Sequence, residues 1–387
     1  MQIWSEENFK YKSYCLTVNG VTMKQLTFGF IGLGLIGGSI AKSIRRVSKN
    51  STIIAYDINI STLSTAKQEG VIDVICTKID ESFLSCNFIF LCAPVSFNDE
   101  NLCTIQPYLS KDCILTDVGS VKTNIHTHIH DLGLDAHFIG GHPMAGSEKT
   151  GYANASDRLI ENAYYILTPT DRVPSASLEK YKTLISDLGA IPLVLDYNEH
   201  DYVTAAVSHL PHIIAATLVN FVHDSDNKEG IMKMIAAGGF KDITRIASSS
   251  AAMWQQISLE NSKHIHSLLQ SYLISLQNIA SEICDKNASA LFELFDSARD
   301  YRDSFVEASR GPIKRIYSFY VDIPDETGVI ATIATILASH QISLRNIGII
   351  NNREFEEGAL RIDFNDEESL DQAIVILKKH NYTIFAK

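Results

Sequence analysis

The stretch FGFIGLGLIGGS, residues 28–39, decides the fold of the N-terminal part of this 387-residue chain. It contains the spacing GxGxxG, which is weak alone because glycines mark ordinary turns as well. Here an apolar run, Leu26–Ile31, precedes the first glycine as a buried strand would, and residues 38–47 follow with the pattern of a helix. A helix that begins directly after such a turn offers free amides and its positive dipole end to a pyrophosphate. The stretch therefore predicts a dinucleotide-binding domain.

An acidic residue follows the next predicted strand at the distance that an NAD site requires. Thr52–Tyr56 is a second apolar run and ends at Asp57, about 20 residues after Gly37. A carboxylate there hydrogen-bonds the ribose hydroxyls of NAD and repels the 2′-phosphate of NADP, so we expect NAD as the cofactor. The predicted cofactor-binding residues are Gly32, Gly34, Leu35, Ile36, Gly37, Asp57, Ala93, Pro94 and Gly119.

A second glycine-rich stretch, GGHPMAGSE at residues 140–148, carries the candidate catalytic base. It follows a short apolar segment, Ala136–Ile139, which places His142 just after a predicted strand. A neutral imidazole can take the proton of an alcohol whose carbon loses a hydride, and small neighbours let the backbone approach a substrate. Together with the dinucleotide motif, this histidine predicts hydride transfer with His142 as the base.

Composition excludes several classes of protein. The net charge of −12 argues against a nucleic-acid partner, since phosphate binding needs a basic surface. Seven cysteines without a CxxC pair favour reduced thiols. No apolar run approaches the roughly 18 residues of a membrane helix, and the N-terminus lacks a signal-peptide pattern, so we expect a cytoplasmic protein without a membrane partner. His126, His128 and His130 do not share one helix face, and we interpret them as solvated or capping residues rather than metal ligands.

The spacing of apolar segments divides the chain into parts. Residues 1–23 show no clear periodicity and are interpreted as an extension. In residues 24–196 short apolar runs alternate with amphipathic segments, which predicts an α/β, Rossmann-like domain with a parallel sheet. Residues 197–310 read as long helices, which predict an all-helical dimerisation domain or, alternatively, a monomeric helical cap. Residues 314–387 follow the order βαββαβ of a small ferredoxin-like domain.

The predicted sheet brings the candidate site residues together. The carboxyl ends of parallel strands meet at one edge of a sheet, where α/β proteins bind their ligands. Asp57, Pro94, Ser120 and His142 each follow a predicted strand, so we expect them to converge there. The predicted strands of this domain beyond the first are Thr52–Tyr56, Phe88–Cys92, Ile114–Thr116, Phe138–Ile139, Tyr164–Thr168 and Pro192–Leu195.

The C-terminal segment resembles the ACT domain, a regulatory module that binds amino acids. The resemblance rests on the turn DIPDETG at residues 322–328 and on Arg345-Asn346-Ile347. A plain ferredoxin-like domain without a ligand is the alternative. If the module is regulatory, we expect its ligand to contact Asp325, Gly328 and Asn346.

Three segments together resemble the prephenate dehydrogenase family of tyrosine biosynthesis. They are the glycine motif, GSVK at residues 119–122 with residues 140–151, and GGFKDITRIA at residues 238–247. The resemblance covers nearly the whole chain after Met23, and the ACT-like segment matches the architecture of the Gram-positive type of this enzyme. It implies NAD-dependent oxidation of prephenate with loss of CO2, giving 4-hydroxyphenylpyruvate.

The resemblance also implies roles for individual residues. His142 accepts the proton of the substrate's C4 hydroxyl, Ser120 helps to orient the reacting groups, and Arg245 binds a carboxylate, although an ion pair with Asp242 is the structural alternative. The other implied substrate-binding residues are His209, His212, Ser147, Glu148, Lys241 and Trp254.

Several questions of function stay open from the sequence. Arogenate dehydrogenase and a dual-specificity cyclohexadienyl dehydrogenase share the fold and chemistry. A non-catalytic amino-acid sensor on a nucleotide-binding scaffold is an alternative of a different class. The resemblance further implies a homodimer and L-tyrosine as an effector.

Overall fold

The computed structural model describes residues 17–18, 21–22, 26–94, 97–146, 149–308, 317–323, 328–350 and 359–386. The chain forms two compact units, 1–281 and 282–387. The predicted division into an extension and three domains stays a prediction.

A five-stranded parallel sheet forms the nucleotide-binding part of the first unit. The strands of the first unit are β1 Thr17–Val18, β2 Val21–Thr22, β3 Thr27–Ile31, β4 Thr52–Tyr56, β5 Val74–Cys76, β6 Phe88–Leu91, β7 Ile114–Asp117, β8 Ile139–Pro143, β9 Tyr164–Pro169 and β10 Ile191–Val194. In the sheet the order is β5-β4-β3-β6-β7, while β1 and β2 form a separate antiparallel pair. The chain changes direction between β3 and β6, and such a switch point opens a crevice at the carboxyl ends of the strands.

Helices cover both faces of this sheet and then continue alone. They are α1 Leu35–Val47, α2 Ile60–Gln68, α3 Asn98–Ile105, α4 Thr123–Asp131, α5 Ser175–Asp187, α6 Tyr197–Thr204, α7 Leu210–Ser225, α8 Ile231–Ile235, α9 Gly238–Thr244, α10 Ala251–Glu260 and α11 Ser262–Cys284. Strand β3 shows why the sheet is buried on both sides: Phe28 and Phe30 pack into one apolar core and Ile31 into the other, as the alternation of side chains in a strand requires.

The strand that carries His142 differs from the expected one. β8 includes His142 and pairs antiparallel with β9, which is parallel to β10, in a separate three-stranded sheet. An isolated bridge between Leu115 and Phe138 joins the two sheets. The prediction of one all-parallel sheet was therefore wrong here, because pairing direction depends on where the chain returns in space and not on the local pattern.

The helical segment begins at Tyr197 and contains a longer apolar run than expected. α6, a π-helical turn at Ala205–His209, and α7 form continuous helix over Tyr197–Ser225. By length and composition this helix could cross a membrane, as no other helix in the described ranges could, which corrects the expectation that no stretch reaches that length. One such helix is weak support for a membrane span. Its first half contains buried polar residues, among them His200 and Asp201, that bond to the nucleotide-binding part.

Two further features of the helices are a chain break after α11 and a buried histidine in α4. Residues 262–308 form two helices and not one, because the chain breaks at Lys286, whose φ is +53°. His126 is not solvated as expected. It is buried, stacks on Tyr197 with ring centroids 4.5 Å apart, and hydrogen-bonds Thr168.

The second unit confirms the βαββαβ order. After helix α12 Ala288–Ala308 its elements are β11 Tyr317–Asp322, α13 Val329–Ser339, β12 Asn346–Ile350, β13 Ala359–Phe364, α14 Glu367–Lys379 and β14 Ile384–Ala386. The four strands form an antiparallel sheet in the order β12-β13-β11-β14. Phe319, Ile333, Phe364 and Leu377 are fully buried between this sheet and its two helices, so the unit has its own core.

Candidate active site

The glycine-rich turn lies between β3 and α1 and leaves the helix N-terminus open. Gly32 has a φ of +93°, and a side chain there would collide with the backbone of Ala93. A Cβ on Gly37 would lie 2.6 Å from the carbonyl oxygen of Gly32, whereas one on Gly34 would meet nothing within 4 Å. The first turn of α1 has no acidic residue, and no side chain caps it. These features fit a dinucleotide, because the backbone closes on itself at two glycines and stays accessible at the third.

Asp57 lies at the carboxyl end of β4 beside this turn. Its carboxylate accepts hydrogen bonds from the backbone N–H of Leu33 at 2.7 Å and of Asn59 at 2.8 Å. Each oxygen keeps a further lone pair, so the carboxylate can still accept ribose hydroxyls. Of the other predicted cofactor residues, Leu35 and Ile36 lie in the first turn of α1, and Ala93 and Pro94 follow β6.

A network of buried polar groups surrounds His142. His142 Nδ1 and His200 Nε2 lie 2.8 Å apart, and His200 Nδ1 lies 2.8 Å from Asp201 Oδ1. Asp201 also accepts the backbone N–H groups of Lys122 and Thr123, both at 2.8 Å, at the N-terminus of α4. His200 and Asp201 are completely buried, whereas His142 is only half-buried and keeps an exposed edge.

A buried ion pair supports the loop that follows β7. Lys122 Nζ donates to Asp117 Oδ2 at 2.5 Å, and both side chains are almost completely inaccessible. Asp117 also accepts the N–H groups of Gly119 at 2.9 Å and Gly141 at 3.1 Å. One carboxylate thus holds the loop containing Ser120 beside the strand containing His142, which confirms that these two segments come together.

The surroundings of His142 keep its ring neutral. Burial lowers the pKa of His142 well below 6.5, and His200, Lys122 and His209 lower it further. Burial also lowers the pKa of His200, although its bond to Asp201 opposes this effect. Burial would raise the pKa of Asp201, but hydrogen bonds from His200, Thr123 and the backbone hold it below its usual value. The site therefore contains a neutral imidazole that can accept a proton.

His209 and His212 lie on the same helical run and are held by different partners. Asn261 Nδ2 lies 3.2 Å from Nδ1 of the buried His209, whose pKa burial lowers to about 4. His212 stacks on Trp254 with ring centroids 3.7 Å apart, and the Trp254 ring also meets His209 edge-on. The indole N–H of Trp254 is buried without an acceptor. Such a donor is costly to leave unpaired, which marks the Trp254 ring as a candidate ligand contact.

Arg245 supplies the cationic group of this region. Arg245 is exposed and directly follows α9. Burial lowers the pKa of His212, and the nearby charge of Arg245 lowers it further. Among the residues that the structure describes, Arg245 forms no ion pair, and so the alternative of a pair with Asp242 is not seen. Lys241 is likewise exposed on α9. Ser147 and Glu148, also predicted to bind substrate, lie outside the described residues.

Four residues of the network were not predicted as site residues: Asp117, Lys122, His200 and Asp201. His200 contacts His142 across 58 residues of sequence, so no local motif joins them. The sequence offers little signal for the pair, because His200 and Asp201 follow Asn198 and Glu199 in a polar stretch of α6 and only the fold shows that they are buried.

Comparisons with known proteins point to one enzyme family. A family model described as prephenate dehydrogenase, nucleotide-binding domain, matches residues 40–193, and one described as prephenate dehydrogenase, dimerization domain, matches residues 196–297. The chain is 39% identical over 347 residues to prephenate dehydrogenase of Bacillus subtilis, covering 88% of this chain and 93% of that protein.

Two solved structures are similar over 72% of the chain. Prephenate dehydrogenase from A. aeolicus, in complex with hydroxyphenyl propionate and NAD+, is 34% identical with a TM-score of 0.68 and is covered to 98%. Synechocystis arogenate dehydrogenase is 29% identical with a TM-score of 0.66 and is covered completely, at 100%.

Proposed function

Because the chain belongs to the prephenate dehydrogenase family, we propose that it catalyses the NAD-dependent oxidative decarboxylation of prephenate to 4-hydroxyphenylpyruvate, a step of L-tyrosine biosynthesis. The observation that carries the proposal is the half-buried, neutral His142, held by His200 beside the loop that contains Ser120. The Ser120 loop follows β7 at the carboxyl end of the sheet that carries the glycine turn, and the bond from the Gly141 N–H to Asp117 holds the strand of His142 beside that loop. This arrangement also argues against a non-catalytic sensor, which would need no base.

The glycine turn would hold the pyrophosphate of NAD at the N-terminus of α1, and Asp57 would bind the adenosine ribose. When bound, NAD supplies the acceptor for the hydride that leaves C4 of the substrate. His142 takes the proton of the C4 hydroxyl as that carbon is oxidised, and Ser120 helps to orient the hydroxyl.

The balance of the reaction makes His142 return its proton. Loss of the hydride and of CO2 makes the ring aromatic, and the product oxygen is a phenol. The proton taken from the hydroxyl therefore returns to the same oxygen, so a separate acid is not required. The lowered pKa keeps His142 unprotonated before the reaction and favours release of the proton to the product oxygen afterwards.

Arg245 provides the recognition of the substrate's carboxylate. Its unpaired guanidinium can bind a carboxylate with two parallel hydrogen bonds, which a lysine cannot do. His209, His212, Lys241 and Trp254 complete the substrate-binding group in this proposal, and the buried indole N–H of Trp254 offers a further donor.

The test is the stoichiometry of the reaction with purified protein. With prephenate and NAD we expect NADH, CO2 and 4-hydroxyphenylpyruvate in equal amounts, and slower NADP reduction because Asp57 repels the 2′-phosphate. The same assay with arogenate in place of prephenate tests the second candidate function, an arogenate dehydrogenase, which the likeness to Synechocystis arogenate dehydrogenase favours. Turnover of arogenate alone would replace prephenate as the substrate, and turnover of neither would refute the proposed activity.

We also propose L-tyrosine as a regulatory ligand of the C-terminal unit and a homodimer formed through the helical segment. In the second unit Gly328 begins α13 with a φ of +96°, and Asn346 Nδ2 donates to Asp363 at 3.4 Å. Asn346 thus already has a partner, and Asp325 lies outside the described residues. A cytoplasmic location without nucleic-acid or membrane partners fits the proposed chemistry, which uses small water-soluble molecules.

A further inference from the structure

A continuous chain of hydrogen bonds leads from His142 into the protein. It runs from His142 Nδ1 to His200 Nε2 and from His200 Nδ1 to Asp201 Oδ1, each at 2.8 Å. His200 and Asp201 have no exposed surface, so neither can touch a substrate from the solvent side. The proposed catalytic step uses His142 alone and leaves the other two without a role.

We propose that Asp201 and His200 are positioning residues that fix the tautomer in which His142 can accept a proton. The inference rests on the proposed role of His142 as the base. Asp201 then acts on His142 through two hydrogen bonds and does not itself contact the substrate.

The direction of each hydrogen bond follows from the chemistry of its ends. An ionised carboxylate only accepts, so Nδ1 of His200 must carry the proton that faces Asp201. A neutral His200 then has a lone pair on Nε2 and must accept from Nδ1 of His142. The lone pair of His142 is left on Nε2, the nitrogen directed away from His200. A protonated His200 would reverse this order and place a proton where the lone pair is needed.

The groups around the chain favour that order. Lys122 and Asp117 face the two histidines from the loop after β7 as a mutually neutralising pair, and His209 faces His142 from the helical run. Burial lowers the pKa of His200, which favours the neutral ring, while hydrogen bonds lower the pKa of Asp201, which favours the carboxylate.

Asp201 is held by two separate parts of the chain, one at its carboxylate and one at its backbone. The backbone amides of Lys122 and Thr123 at the start of α4 donate to its oxygens, and the Thr123 hydroxyl donates at 2.5 Å. Asn261, between α10 and α11, donates to the backbone carbonyl of Asp201 at 2.7 Å. Packing of the helical segment on the nucleotide-binding part therefore determines the tautomer of His142.

The first experiment reads the tautomer directly. In protein with ¹⁵N-labelled histidines, the ring signals of His142 are identified by their loss in His142→Asn. We expect a protonated Nδ1 and an unprotonated Nε2 in the unsubstituted protein, and a rise of the Nε2–H form in Asp201→Asn. A protonated Nε2 in the unsubstituted protein overturns the proposal. This result does not depend on whether Asp201→Asn folds.

The second experiment measures kinetics. Asp201→Asn should lower kcat by about 10²-fold or more, within the range that general base catalysis contributes, and should leave KM for prephenate nearly unchanged. In serine proteases the loss of a tautomer-fixing aspartate costs about 10⁴-fold. Because the carboxylate raises the pKa of His200, the acid limb of the pH profile should also move to lower pH. Unchanged kcat and pH profile would overturn the proposal.

A matched control separates position from charge. Asp196→Asn removes the same charge from the same helix, where Asp196 accepts the N–H groups of Asn198 and Glu199 and is exposed. It should alter neither the tautomer nor the pH profile, and an equal effect in this variant would refute a specific role for Asp201. The ¹⁵N measurement needs no substrate, so it decides the inference even if prephenate is not turned over.

Discussion

At the scale of single residues, the site keeps one side chain charged and another neutral. Arg245 is exposed and unpaired within the described ranges, so its charge is available to an anionic substrate. His142 is surrounded by groups that lower its pKa, so its ring stays neutral. In this account the charged Arg245 binds substrate and the neutral His142 takes the proton, and the two residues lie on different elements.

This separation predicts the effect of changing Arg245. Arg245→Ala should raise KM for prephenate by about 10-fold or more and lower kcat much less, because a carboxylate contact acts on ground and transition states alike. Arg245→Lys should recover only part of the loss, since it keeps the charge without the two parallel hydrogen bonds. Steady-state kinetics decide this, with Lys233→Ala as the control for loss of an exposed positive charge on the same helical segment. Unchanged KM in the folded Arg245→Ala protein would contradict the assigned role.

At the scale of elements, the glycine turn combines a structural and a binding function. Gly37→Ala should lower the free energy of unfolding by roughly 1–3 kcal/mol, the usual cost of overpacking, because its Cβ would meet the backbone of Gly32. Gly34→Ala should leave stability unchanged and weaken NAD binding by about 10-fold or more, because its Cβ enters the space expected for the pyrophosphate. Thermal unfolding and NAD titration of both variants test this. Equal loss of stability in the two proteins would contradict it.

Elements also show how far the sequence could be interpreted. β3, β4 and α1 were predicted closely because each depends on a local pattern of apolar residues and glycines. The short strand β5 and the antiparallel pairing of β8 were missed, since the first offers only three residues and the second is a tertiary property. His142 was predicted as a site residue from its glycine-rich surroundings, and that role stays a prediction. His200 and Asp201 were not predicted, because their role depends on contacts between distant segments.

At the scale of the whole molecule, the helical segment has an apolar surface that needs a partner. Its exposed large apolar side chains include Phe221, Met234, Ile235, Ile243, Leu259 and Ile274. This number of exposed large apolar side chains on one helical segment favours an interaction surface, which supports the proposed homodimer.

The proposed regulation by tyrosine also belongs to the scale of the whole molecule. If L-tyrosine binds the second unit, Asn346→Ala should weaken inhibition by L-tyrosine and leave the uninhibited kcat unchanged. We expect a change of about 5-fold or more in the inhibition, the size at which coupling between two sites typically begins. Reciprocity requires prephenate to weaken tyrosine binding by the same factor by which tyrosine weakens prephenate binding. Inhibition curves with and without the substitution measure this. Full inhibition of Asn346→Ala, competitive with prephenate, would instead place tyrosine at the active site near Arg245.

The central claim is that His142 is the neutral base of an NAD-dependent oxidation, and the rate of NADH formation from prephenate across pH tests it most directly. The unsubstituted enzyme should keep its rate as the pH falls past 6.5, the ordinary pKa of histidine, and lose activity only at lower pH, because the base is neutral above its lowered pKa. His142→Asn should bind NAD normally and lose about 10²- to 10⁴-fold in kcat. A near-normal kcat in that variant would contradict the claim.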